Sequence, residues 1–449
     1  MNTPNYNSLE EMPSVTESVA RTPNPAKGIF AQRKEPLAGA YFWVLVFLVA
    51  YCGRPEDYIP GVVHLHLAKI AGVFALIAFV MSLGQLKKGI PRETGLLVLL
   101  LIQFGLAAIF SPVYKARAIG VTFEFSKAVL IIIVMVLAVT TWDRLRKLLF
   151  VQAGAVALIG AISVLKGRLY HKRLMGVVGG IYANPNDLAI ALVLCLPLAL
   201  FFMFQARSGP RKLLWAAAAL MMTYGVFLTA SRAGFLALVI VALMCLWEFG
   251  VKGRRAYLIP LAFVALVMIL AFAGKNTTQR LSDTFSSHGD YEHAHGSATH
   301  REALLIKSIK VTLEHPIFGI GPGDFQIISG QWNQTHNVYT ALSAEAGLPA
   351  LLLFLAIYWI SFANLREVRK KASPGSGVSL VAQALRASLI AFAPAAFFFP
   401  DAYQYFIYFM FAYTTLARQV AAREASAKKE EQPIPGRRTS YTAVPLPSA

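Results

Sequence analysis

Acidic side chains are scarce in this sequence: 23 Asp and Glu stand against 42 Lys and Arg, and charged residues make up only 14% of 449. A soluble domain carries about a quarter charged residues, so the composition excludes an ordinary soluble surface. Cysteine is scarcer still. Cys52, Cys195 and Cys245 lie in or beside apolar segments without a CxxC spacing, which excludes a disulfide framework and a thiolate zinc site; they read as small core hydrophobes. No HExxH or comparable metal-ligand spacing occurs. His288, Glu292, His293, His295 and His300 do cluster, but among Ser, Gly and Asp in the manner of a loop, so neither metal nor cofactor is assigned. The first 37 residues lack an apolar stretch, so the expectation is no cleavable signal peptide, the first span serving for insertion. No internal repeat or inverted symmetry is visible, which weakens a transporter reading. The net charge of +19 suggests nucleic acid until its distribution is considered. The cations sit in short connections between apolar runs, so no nucleic-acid partner is expected.

What the chain has is apolar sequence, 56% of it, in repeated runs long enough to cross a bilayer. The expected fold is an all-α, polytopic integral membrane bundle of about twelve spans. They fall near 38–53, 62–83, 94–111, 118–140, 146–165, 187–205, 213–230, 233–249, 256–274, 336–360, 378–399 and 403–420. With the N-terminus in the cytoplasm, every even-numbered connection is basic. Those connections hold Lys87, Lys88 and Arg92; Arg144, Arg146 and Lys147; Arg207, Arg211 and Lys212; Lys252, Arg254 and Arg255; and Arg366, Arg369, Lys370 and Lys371. Cytoplasmic loops are enriched in this way, so both termini are placed inside. The tails, 1–37 and 421–449, are polar, Pro- and Ser-containing and expected to be disordered. Residues 275–335 form one large external loop, with an amphipathic helix predicted over Thr299 to Glu314.

The informative cations are those on the wrong side. The connection 166–186 holds Lys166, Arg168, Lys172 and Arg173, then Asn184-Pro185-Asn186-Asp187, which suits the capped start of a helix whose N-terminus welcomes an anion. The tight turn between spans seven and eight holds Ser231-Arg232-Ala-Gly234. These charges share a face with His336, which follows the glycine-rich turn Gly319-Ile-Gly-Pro-Gly-Asp-Phe325 and opens an apolar run. Arginine's planar fork suits a diphosphate. An imidazole beside cations stays unprotonated and can serve as a general base. Snorkelling to headgroups is the plainer account of Lys166 and Arg168, and helix capping alone would account for Asn184 to Asp187. Glu345 lies nine residues beyond His336, about 13 Å along a helix, too far to pair with it. It is read as ordering the polar network or capping a bend at Gly347 and Pro349. Glu124 and Lys127, spaced i,i+3, are expected to neutralise each other.

These motifs together resemble those of the O-antigen ligase and polymerase superfamily of bacterial membrane glycosyltransferases. The residues that carry the likeness are Arg173 to Asn186, Thr229-Ala-Ser-Arg-Ala-Gly234, Arg301 through Glu314 to Phe325, Thr335-His336-Asn337 and Glu345-Ala-Gly-Leu-Pro349. The turn reads Ser-Arg-Ala-Gly where Ser-Arg-Gly-Ala is more usual, and 275–300 matches no pattern. The resemblance implies a ligase-like transmembrane domain over 38–420 in the bacterial inner membrane, with a periplasmic active site. It implies transfer of a glycan from undecaprenyl diphosphate to a glycan, lipid or protein acceptor, without metal or nucleotide.

By motif match, His336 corresponds to the family's essential histidine, Arg173 and Arg232 to its diphosphate-binding arginines, and Arg301 to a further one. Lys172, Asn184, Asn186, Asn337 and Glu345 complete the expected substrate site. The reaction expected is a single displacement with His336 as base, serving lipopolysaccharide or other cell-envelope polysaccharide synthesis. A polymerase using a second lipid-linked glycan as acceptor is the near alternative. A lipid-linked sugar transporter or a regulatory membrane protein are the distant ones.

Overall fold

Within hydrocarbon each backbone N–H and C=O must find a partner inside its own segment, so long apolar runs resolve into helices. The computed structural model describes residues 35–431, apart from 60, 63, 87–88, 168, 171–172, 177–180, 254, 273–290, 331 and 400–401; over 169–170, 269–272, 291–298 and 428–431 it describes backbone alone. A helix occupies each of the twelve expected segments. They are α1 (Ala38–Gly53), α2 (Leu67–Met81), α3 (Arg92–Ile109), α4 (Lys115–Ala138), α5 (Trp142–Lys166), α6 (Pro185–Gln205), α7 (Gly209–Thr229), α8 (Arg232–Cys245), α9 (Leu258–Phe272), α12 (Val338–Lys371), α13 (Gly377–Ala395) and α14 (Tyr405–Glu431). Outside them lie α10 (Tyr291–Glu314), a short α11 (Phe325–Ile328) and a hairpin of β1 (Leu169–Tyr170) with β2 (Arg173–Leu174), paired Tyr170 to Arg173.

Among the described residues nine of these helices are long and apolar enough to cross a membrane, fewer than the twelve expected spans. α2 and α9 are apolar but shorter, and α14 mixes Tyr405, Tyr408, Tyr413, Thr414, Thr415 and Arg418 into its apolar sequence. α14 also runs to Glu431, past the expected boundary at 420. Residues 421–431 therefore continue the helix as a run that, apart from Ser426, consists of Ala, Arg, Glu and Lys, which are strong helix formers.

The centre of the bundle is α6, apolar on every side and packed by α5, α7, α8 and α13. α12 packs on α3, α13, α14 and α10. Cys52, Cys195 and Cys245 are free and buried in this core. Several charges on the helices are paired, which lowers their cost in a low-dielectric setting. Arg386 Nη1 meets Glu248 Oε1 at 2.8 Å, Arg418 meets Glu93 at 3.0 Å, and Lys127 meets Glu124 at 2.5 Å.

One break matters to the site. Within α12, Gly347 leaves helical geometry at φ 82°, ψ 169°. The glycine-rich turn seats there. The amides of Ile320 and Gly321 donate to the carbonyls of Ala344 and Glu345 at 3.0 and 2.9 Å, and the Leu348 amide donates to the Pro316 carbonyl at 2.8 Å. A Cβ at position 347 would stand 2.1 Å from the Ile317 carbonyl oxygen. Gly347→Ala combines that clash with an unfavourable φ, so it should destabilise the protein by roughly 1–3 kcal/mol. A detergent-solubilised variant melting with wild type would contradict this.

Candidate functional site

Three elements bring the site together. The first is the turn from α7 into α8. Ala230 takes a left-handed conformation, φ 47°, and ends α7. The Ser231 hydroxyl then accepts the Gly234 amide at 3.1 Å and caps α8, which places Arg232 at the first helical position with its side chain exposed. The Ala-Gly order is spatially required here, since a Cβ on Gly234 would approach the Ala189 Cβ of α6 to 2.5 Å.

The second is α10. Its buried Leu304, Ser308 and Val311 recur every third or fourth residue and turn one face toward α12. Thr312 and Ser343 share a hydroxyl–hydroxyl contact of 2.9 Å across that interface. The same helix carries His300, Arg301 and Glu302.

The third is the entry to α12. The Asn337 side chain accepts the amides of Tyr339 and Thr340 at 2.9 and 3.2 Å and caps the helix. The Thr335 hydroxyl donates to the Asn337 carbonyl at 3.0 Å. Between these anchors His336 is held at φ 52°, a left-handed conformation that is unfavourable for a residue with a Cβ and is retained only where the surroundings enforce it.

These elements and the segment that follows α13 line a cavity of about 440 Å³. Arg232, Arg301, Glu302, Thr335, His336 and Asn337 supply its polar wall, and Leu236, Leu305, Phe397 and Phe398 its apolar wall. Among the described residues neither guanidinium has an ion-pair partner, and the buried Nδ1 of His336 has no hydrogen-bond partner. Burial, and then the charges of Arg301 and His300, push the His336 imidazole down to about 4. Burial and the nearby Arg232 lower Arg301 in turn. At neutral pH the cavity thus presents a neutral imidazole beside two fixed positive charges. That combination suits an anionic group bound next to a proton acceptor.

Not every expected site residue reaches this cavity. Arg173 is not among the lining residues: its Nε donates to the Thr229 carbonyl and its Nη2 to Asn186 Oδ1, both at 3.0 Å. Asn186 Oδ1 also accepts the Ser231 hydroxyl at 2.7 Å, and Asn184 caps α6 by accepting the Asn186 amide at 2.9 Å. The three residues lie behind the Arg232 turn and brace it. Glu345 faces away from the cavity. Its carboxylate accepts the Gly323 amide at 2.9 Å, the Phe325 amide at 3.3 Å and the Tyr403 hydroxyl at 2.5 Å, so it clamps the glycine-rich turn. Lys172 and the side chains of His288, Glu292, His293 and His295 lie outside the described residues. His300 is described and meets Asn333 at 3.0 Å.

The structure adds residues that the sequence did not single out. Glu302 and the apolar wall are lining residues of ordinary type. Only the aromatic run Phe397-Phe398-Phe399 before Pro400 was a visible signal, and it reads equally well as the end of a span.

Residues 216–355 match the family model described as O-antigen ligase. No curated protein matches the chain. The matched segment takes in Arg232, Arg301, His336, Asn337 and Glu345, and stops short of Arg173, Asn184 and Asn186 on its N-terminal side. The segment that supplies the polar wall of the cavity is thus the part of this multi-pass chain that is similar to O-antigen ligase, in keeping with the resemblance carried by the sequence motifs.

Proposed function

We propose that the cavity transfers a glycan from a polyprenyl-diphosphate carrier to an acceptor hydroxyl at the external, periplasmic face of the bacterial inner membrane. One observation carries this reading: two guanidiniums without partners among the described residues share a single cavity with a neutral imidazole. The acceptor oxygen attacks the anomeric carbon and the bond from that carbon to the diphosphate breaks. Arg232 and Arg301 receive the negative charge that develops on the leaving group, and His336 takes the proton of the hydroxyl. Arg173, through Asn186 and Ser231, holds the turn that aims Arg232. The apolar wall suits the first isoprenoid units of the carrier. The basic connections, with the even-numbered ones inside, support the sidedness.

A single displacement requires inversion at the sugar. Protein reconstituted in nanodiscs with a lipid-linked glycan of known anomeric configuration should yield the inverted linkage, one polyprenyl diphosphate released per bond formed, at the same rate in EDTA. Retention of configuration, or release of the carrier without glycosylated acceptor, would overturn the reading. Ligation and polymerisation share this chemistry. A deletion strain separates them, because loss of anchoring indicates ligation and shortened chains indicate polymerisation.

A further inference from the structure

Arg301 is placed for more than holding phosphate. Arg232 and Arg301 line the same cavity as His336, reached from α8 and α10, while His336 waits at the entry to α12 with its Nδ1 buried and unpartnered among the described residues. The charged or titratable groups facing it are Arg232 from α8 and His300, Arg301 and Glu302 from α10; the wall contributed after α13 is Phe397 and Phe398. α12 adds none, since Glu345 is committed to the Gly323 and Phe325 amides.

Resting on the glycosyl-transfer reading, we propose that Arg301 is a positioning residue that couples donor binding to the basicity of His336, so that the imidazole becomes an effective proton acceptor only once a diphosphate occupies the cavity. In the empty cavity the unneutralised guanidinium opposes a second positive charge on the imidazole. A dianionic or trianionic diphosphate between Arg232 and Arg301 cancels that opposition and adds attraction of its own. The imidazolium formed by proton transfer is then tolerated.

The order of events follows. An acceptor hydroxyl that arrives first meets a weak base, and one that arrives after the donor meets a stronger base. The coupling is reciprocal, because a ligand that favours the protonated imidazole is itself bound more tightly by it. Burial is the larger cause of the depression in the empty site and the charges of Arg301 and His300 add to it; the sign of the change on loading is fixed by the charges. His336 is held below its ordinary value of 6.5, down to about 4, in the empty site, so it stays neutral until the pH falls that far. The loaded site should protonate at higher pH, and the acid limb of turnover should track the loaded value.

The test uses the full chain with labelled histidine in nanodiscs and inorganic pyrophosphate as probe. The His336 resonance is assigned by its loss in His336→Ala, and its titration midpoint is read with and without pyrophosphate. A rise of about one pH unit or more is expected, corresponding to about tenfold tighter pyrophosphate binding to the protonated form. Arg301→Gln should raise the midpoint of the empty protein and leave pyrophosphate little further to add. Arg301→Lys, which keeps the charge, should retain the low midpoint and so exclude a general loss of structure. Pyrophosphate that binds without moving the midpoint would overturn the coupling and leave the transfer reading intact. Failure of pyrophosphate to bind, or binding unaffected by Arg232→Gln, would overturn both.

Discussion

Replacing His336 with Ala is expected to lower glycan transfer by about 10²- to 10⁴-fold, the range over which a positioned acid–base group acts. Binding of the polyprenyl-diphosphate donor should change little. The two readouts separate because the imidazole, neutral in the empty cavity, contributes to donor binding only weakly, whereas the displacement needs somewhere for the hydroxyl proton to go. Alanine keeps a Cβ, so the left-handed conformation at φ 52° is no easier for the variant, and its folding is checked separately by thermal melting. His336→Gln serves as a second variant, with hydrogen-bonding capacity but no basicity, and should be nearly as impaired. Undiminished turnover in either would remove His336 from the proton transfer.

The second large effect is on the donor. Arg232→Gln removes a charge-assisted contact worth about 1.5–3 kcal/mol, so donor affinity should fall by roughly 10- to 150-fold. Arg232→Lys keeps the charge and loses the planar fork, and an intermediate loss is expected. Because the Arg232 side chain is exposed, part of its attraction should weaken as ionic strength rises. Donor affinity that is unchanged in the Lys variant would reject a paired, fork-like contact. Donor affinity unchanged in the Gln variant would move the diphosphate away from this wall altogether.

The helices were legible because a bilayer allows few alternatives to them, and the twelve segments read from the sequence each contain one. Their ends were less legible. The Ala-rich stretch 421–431 reads as a polar tail when judged by charge and as helix when judged by propensity, and the second reading holds. At the site, Arg232 stood out because it sits where the charge asymmetry forbids it, and His336 because a titratable group opens an apolar run. Arg173 stood out for the same reason as Arg232, yet its guanidinium is turned to the Thr229 carbonyl and Asn186. Residue type and loop position cannot distinguish an arginine that faces a ligand from one that ties two turns together, because the choice is made by a carbonyl 56 residues away. The Gly347 and Pro349 signal did indicate a bend. That the bend receives the glycine-rich turn, and that Glu345 clamps it, depended on contacts between distant segments. Glu302, Leu236 and Leu305 carried no signal of their own, and the aromatic run holding Phe397 and Phe398 read equally well as the end of a span.

The break at Gly347 bears on how the protein is made. The loosened backbone there has polar groups that hydrocarbon cannot satisfy. Gln103 on α3 donates to the carbonyls of Ile317 and Ala346, both at 2.8 Å, and Tyr403, just before α14, reaches Glu345. The partners are thus drawn from an early helix, the middle of the chain and its last helical hairpin. A ribosome delivers Gln103 long before Tyr403 emerges, so Glu345, the clamp on the glycine-rich turn, gains its Tyr403 hydrogen bond only after the chain has been made as far as α14. A chain truncated before Tyr403 should therefore keep the Gln103 contacts at the break and lack the hydroxyl that meets Glu345.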